Sequence, residues 1–122
     1  MKANELRIGN FIIANGLYEG KILEVEQIGS KGTLNEKLRV INFKIQHAGE
    51  FIKHCDPIPL TEEWLIKFGF KNLSIGLFEL THNNVIGYRL SIEGQYGYEE
   101  IKYVHQLQNL YFALIYKELE LK

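Results

Sequence analysis

The stretch Asp56-Pro57-Ile58-Pro59-Leu60-Thr61-Glu62-Glu63-Trp64-Leu65 divides the chain. Its two prolines remove two backbone donors and hold the residues before them extended, so a sheet cannot continue through them. Thr61 then offers a helix N-cap, Glu62 and Glu63 suit the positive end of a helix dipole, and Trp64, Leu65 and Phe68 form an apolar stripe before Gly69. Together they predict a two-turn helix over about 62–68. The boundary predicts two subdomains, 1–58 and 59–122, folded as one compact unit.

Upstream of the prolines, turn chemistry separates short strands. Phe11-Ile12-Ile13-Ala14 is a strand-length apolar run, and Asn15-Gly16 after it is a two-residue hairpin signal, so the chain from Leu17 is expected to return antiparallel. Residues 22–28 place Leu23 and Val25 on one face and Glu24 and Glu26 on the other. Residues 38–45 do the same with Ile41, Phe43 and Ile45. Residues 29–33 read as a loop, 46–50 as a turn and 51–55 as a further strand. Four or five short strands in sixty residues predict a small SH3-like β-barrel.

Downstream of the first helix, residues 77–81 and 85–92 flank His82-Asn83-Asn84, and Ile86, Tyr88, Leu90 and Ile92 alternate with Arg89 and Ser91. This predicts a β-hairpin with the first set inward. A last helix is predicted over about 103–117. Tyr103, Val104, Leu107, Leu110, Tyr111, Leu114 and Ile115 share one arc, with His105, Gln106, Asn109 and Lys117 mainly opposite. Phe112 and Tyr116 fall outside the arc as a second stripe. The predicted fold class is therefore α+β: an N-terminal SH3-like small β-barrel packed against a β-hairpin with two helices.

Composition narrows the functional classes. The 122 residues carry 14 Lys and Arg against 15 Asp and Glu, a net charge of −1, with no basic half to hold nucleic acid and no acidic run. The single cysteine, Cys55, cannot form an internal disulfide, and no apolar run reaches the ~18 residues of a membrane span. With no apolar signal-peptide segment at residues 1–10, a cytoplasmic protein away from the membrane is the expectation.

Three ordered blocks, covering about a quarter of the chain, carry a resemblance. They are Asn4-Glu5-Leu6-Arg7-Ile8-Gly9-Asn10, Pro57-Ile58-Pro59-Leu60-Thr61-Glu62-Glu63-Trp64-Leu65 with Lys67-Phe68-Gly69-Phe70, and Lys102-Tyr103-Val104-His105-Gln106-Leu107-Gln108-Asn109-Leu110-Tyr111-Phe112-Ala113-Leu114. The chain resembles a family of small uncharacterised proteins of Bacteroidetes genomes, often in prophage and mobile elements. The resemblance implies a setting and a fold, and no catalytic residue. The family's usual Thr-Gly-Glu-Glu-Leu ending is replaced here by Ile115-Tyr116-Lys117-Glu118-Leu119, which predicts a longer last helix.

Reactive side chains do not assemble into a motif. His54 and Cys55 are strand neighbours pointing to opposite faces, which makes them poor nucleophile and base. The histidines at 47, 54, 82 and 105 lack the short paired spacing of a zinc site. Gly29-Ser30-Lys31-Gly32-Thr33 has the wrong order for a phosphate loop. Glu62 with Glu63 and Glu99 with Glu100 are explained by a helix's first turn and a polar approach to a helix. No catalytic residue, metal or cofactor is expected.

Four of the seven tyrosines, Tyr88, Tyr96, Tyr98 and Tyr103, fall within sixteen residues. Tyrosine offers ring and hydroxyl at low entropic cost, so this Tyr- and Gly-rich region suits recognition. The candidate partner-binding residues are Tyr88, Arg89, Tyr96, Tyr98 and Lys102. Phe112 and Tyr116 are the candidates for self-association into a homodimer. The expected function is a non-enzymatic protein-interaction module from a phage or mobile-element setting, with an unidentified protein partner. The alternative is a nucleic-acid-binding small-barrel protein, and an enzyme with an unrecognised site stands third.

Overall fold

The computed structural model describes residues 5–15, 20–29, 37–41, 48–51, 55–92 and 95–122, with 26–29, 37–41, 48–51, 96 and 98 described through their backbone. The fold is α+β, with two sheets and two helices. The chain divides into two compact units, Met1–Ile58 and Pro59–Lys122. Among the described residues no helix is long and apolar enough to cross a membrane.

The first unit is a five-stranded antiparallel sheet of order β4-β3-β2-β1-β5, built from β1 (Phe11–Ala14), β2 (Ile22–Gly29), β3 (Lys37–Ile41), β4 (Ala48–Phe51) and β5 (Cys55–Asp56). β4 and β5 are the two edges of this order. Among the described residues they are not paired with each other, so the expected barrel is not closed. The alternation predicted for β2 holds at Leu23 and Val25, both buried, and β1, read as an apolar run, alternates too, with Ile12 and Ala14 buried.

Three expectations in this unit are corrected. Ala14 N–H donates to Lys21 O, so the reversal after β1 takes six residues and Asn15-Gly16 does not close a two-residue turn. Residues 48–50, expected as a turn, belong to β4, because β3 supplies them with a ladder partner. The expected strand 51–55 is divided between the edges: Phe51 ends β4, while Cys55 and Asp56 pair with β1. The expected features at residues 30–33 and 42–47 lie outside the described residues.

A polar side chain ties the start of the chain to this sheet. Asn10, fully buried, accepts from Arg7 N–H at 2.7 Å through Oδ1, while its carbonyl takes Val25 N–H at 2.9 Å. The buried side chain satisfies one backbone N–H and the main-chain carbonyl beside it another, which fixes the entry of the chain into β1.

In the second unit, Leu60 N–H donates to Lys102 O and Pro59 bridges Tyr103, so the chain after the prolines starts as a short extended pairing. Helix α1 (Glu62–Lys67) follows, its Trp64 N–H reaching Thr61 Oγ1 at 3.4 Å. That bond is long, so Thr61→Ala should cost only about 0.5–1 kcal/mol in chemical denaturation. A loss above about 2 kcal/mol would show that the hydroxyl does more than cap.

The second sheet has order β6-β7-β8-β9, from β6 (Ser74–Ile75), β7 (Phe78–Asn83), β8 (Gly87–Ile92) and β9 (Gln95–Glu100). Two of these strands, β6 and β9, were not expected. β6 is set by a tight turn at Asn72 and Leu73, both at positive φ (51° and 64°), between the paired residues Lys71 and Ser74. Leucine is an unusual occupant of that conformation, which hides the turn from the sequence. The β7–β8 hairpin stands where predicted, but its turn is shifted to residues 84–86. There Asn83 Oδ1 accepts both Val85 and Ile86 N–H groups.

Helix α2 (Val104–Ile115) ends two residues early, because Tyr116 adopts left-handed backbone (φ 63°) and donates its N–H to Phe112 O. Its burial departs from the wheel. His105 and Gln108 are buried beside Val104 and Leu107, whereas Leu114, expected inward, is half exposed. Tyr111 packs edge-on against Phe78 of β7 at 5.2 Å, and Phe78 against Phe70 at 6.1 Å, which sets the helix on the sheet.

Candidate functional site

The region from Tyr88 to Tyr103 is a bulged pair of strands leading into α2. Tyr88 is half-buried and stacks on His82 across the β7–β8 ladder, centroids 4.1 Å apart. Burial, and secondarily the charge of Glu62, hold its phenol above its ordinary value. This stack occupies one ring face of Tyr88 with a partner of its own chain.

Between Arg89↔Glu100 and Ser91↔Tyr96, β8 advances two residues and β9 four, so β9 carries the bulge. Arg89 closes it. Its Nε donates to Ile86 O at 3.0 Å and Nη1 to Gly97 O at 3.2 Å. Gly97 is buried, and a methyl group on it would fall 2.9 Å from Leu90 O, a main-chain atom that cannot step aside. The bulge therefore needs glycine at 97 and a guanidinium at 89.

A cleft of about 410 Å³ opens beside this bulge, walled by Leu90, Ile92, Ile101 and Leu110 and edged by Glu99, Glu100 and Gln106. Gly87, at φ +70°, leaves room for the Glu100 side chain, whose Cδ would stand 2.6 Å from a β-carbon there. Gln106 turns inward to the backbone, accepting from Lys102 N–H at 2.9 Å and Tyr103 N–H at 3.1 Å, and so caps the start of α2. The carboxylates of Glu99 and Glu100 are exposed, and no cationic side chain lines the cleft among the described residues.

The expected site residues are thus partly gathered and partly dispersed. Tyr88 and Arg89 lie on one strand as structural members of the hairpin, and Lys102 is exposed between β9 and α2. Tyr96 and Tyr98 have their backbone in β9, and their side chains lie outside the described set. Ile92, expected inward, is exposed and lines the cleft; it is the last residue of β8, paired with Gln95. Phe112 is 36% exposed and Tyr116 81%, but Tyr116 has left the helix, so the two do not form the predicted i, i+4 stripe. Glu99 and Glu100 were explained only as a polar approach to the helix. Their adjacency on a strand before an amphipathic helix was the available signal.

Cys55 is buried in β5, and among the described residues no group of three His, Cys, Asp or Glu side chains could hold a metal ion. No protein-family model, curated protein or solved structure matches the chain.

Proposed function

We propose that this chain is a non-enzymatic interaction module that binds a protein partner through the Tyr88–Tyr103 surface of its second unit. One observation carries the proposal: an apolar-walled cleft on this surface whose charged groups are both carboxylates. A phosphate backbone is repelled by such a rim, and Arg89, one of the two cations of the surface, spends hydrogen bonds on its own chain's carbonyls. Both features favour a polypeptide over nucleic acid. Partner surfaces reward apolar walls with a polar rim, as here. Lys102, Tyr96 and Tyr98 belong to the proposed surface by position.

The first unit is proposed as the SH3-like part of the module. Support comes from its order, in which strands one to four run as a meander and the fifth returns beside the first. The mobile-element setting rests on the three sequence blocks.

Affinity purification of the tagged chain from the organism that encodes it, with and without nuclease, tests the proposal. A protein recovered in equal yield after nuclease treatment, and little affected by about 0.5 M salt, is the expected result. Recovery that disappears with nuclease would replace the proposal by nucleic-acid binding.

A further inference from the structure

We infer that the tail after α2, residues 117–122, exchanges between two copies of this chain, each tail seated against α1 of the other copy, to give a closed dimer. The inference uses none of the Tyr88–Tyr103 residues, so it stands or falls apart from the interaction-module proposal. The seat is shaped to this sequence. Leu119 is buried, Lys122 N–H donates to Lys67 O at 2.7 Å, and the Lys122 stem lies over Gly69, where a β-carbon would come within 3.1 Å of its Cγ and Cε. Gly69, at φ +91°, is thus both the turn after α1 and the gap that the tail fills. A surface fitted to one segment of this chain accepts the same segment of a second copy with the same contacts.

Tyr116 is the hinge. It holds left-handed backbone, φ 63° and ψ 27°, a strained conformation for a residue with a β-carbon, which the docked tail must offset. Lys117 and Glu118 after it are good helix formers, so local preference favours α2 running on. With Tyr116 in the right-handed region the helix continues through the hinge and carries the tail away from its own Lys67. The docked tail also fills its seat incompletely, since a cleft of about 430 Å³ lies between it and Phe68, Ile75 and Tyr111. A strained hinge beside a short detachable segment is the arrangement that invites exchange.

A second copy is favoured over other occupants on two grounds. Exchange restores the Leu119 and Lys122 contacts of the docked tail and releases the strain at both hinges, whereas a tail that merely let go would leave Leu119 in water. An unrelated peptide would have to match the Leu119 seat and the Gly69 gap together. The hinge is also surrounded by exposed apolar side chains: Phe112, Leu114, Tyr116 and Leu121. Two copies joined through their tails about a twofold axis bring these clusters together, which covers apolar surface that the single chain leaves in water.

Light scattering of the whole chain between about 10 μM and about 1 mM should show a dimer growing at the expense of the monomer. Isotope-labelled and unlabelled chains, mixed and refolded together from urea, should then give isotope-filtered NMR contacts between the Gly69 α-protons of one copy and the Lys122 side chain of the other. The hinge is tested separately. Tyr116→Gly takes the left-handed conformation without strain, and Tyr116→Ala loses the ring but keeps the strain, so the glycine variant should dimerise about tenfold more weakly than the alanine variant. No dimer up to about 1 mM, a dimer whose Gly69–Lys122 contacts all lie within one copy, or equal dimerisation of the two variants would each overturn the inference.

Discussion

Phe68→Ala should destabilise the second unit by about 3–5 kcal/mol, a large share of the roughly 5–15 kcal/mol that holds a domain of ordinary stability. Phe68 is completely buried, and its ring lies 5.7 Å from that of Trp64 at a 39° tilt. It is also the residue on which α1 ends. Its N–H donates to Trp64 O, and the next two N–H groups return to Ile66 O and Leu65 O, which turns the chain toward Phe70. Removing the ring leaves a cavity at a point where helix end and turn fix the surrounding backbone, so little collapse can fill it. Urea denaturation followed by Trp64 fluorescence, the chain having one tryptophan, gives the answer directly. A change below about 1 kcal/mol at equal denaturant slope would mean that Phe68 is not a core residue.

Leu119→Ala should cost about 2–5 kcal/mol, although it lies beyond the last helix in a tail with no regular structure. Leu119 is 4% exposed, and three residues later Lys122 N–H donates to Lys67 O at 2.7 Å. The tail thus satisfies one of the carbonyls that the end of α1 leaves open and seals Leu119 beneath itself. Leu121→Ala is the internal control: Leu121 is half exposed, and its change should stay within about 0.5 kcal/mol. Equal effects of the two substitutions in thermal or urea unfolding would show that the tail is not docked.

Local signals were legible where one residue type has one dominant use. The two prolines, Thr61 and the acidic pair placed α1 within a residue, and the alternation around Leu23 and around Leu90 found strands that exist. β9 was missed because Gln95-Tyr-Gly-Tyr-Glu-Glu has no apolar alternation, and what makes it a strand is the ladder offered by β8 with Arg89 stitching the bulge. Of the candidate site, the region was legible from its tyrosines. Its chemistry was not, because the cleft is assembled from residues of β8, β9 and α2 whose own segments give no sign that they meet.

His105 and Ile92 show the same division from both sides. On a helical wheel His105 faces away from the apolar arc, yet it is buried and stacks parallel to Tyr103 at 5.9 Å. Ile92 reads as an inward strand residue, yet it is exposed at the end of β8. The sequence by itself determined the α+β class, the β7–β8 hairpin and both helices, because caps, fixed φ angles and periodicity act within a few residues. Only the tertiary structure decided which edge β5 joins, where α2 stops, how the tail closes α1 and which carboxylates share a cleft. Those depend on partners far apart in the chain, and burial is set by what neighbouring elements cover rather than by the apolar character of the residue itself.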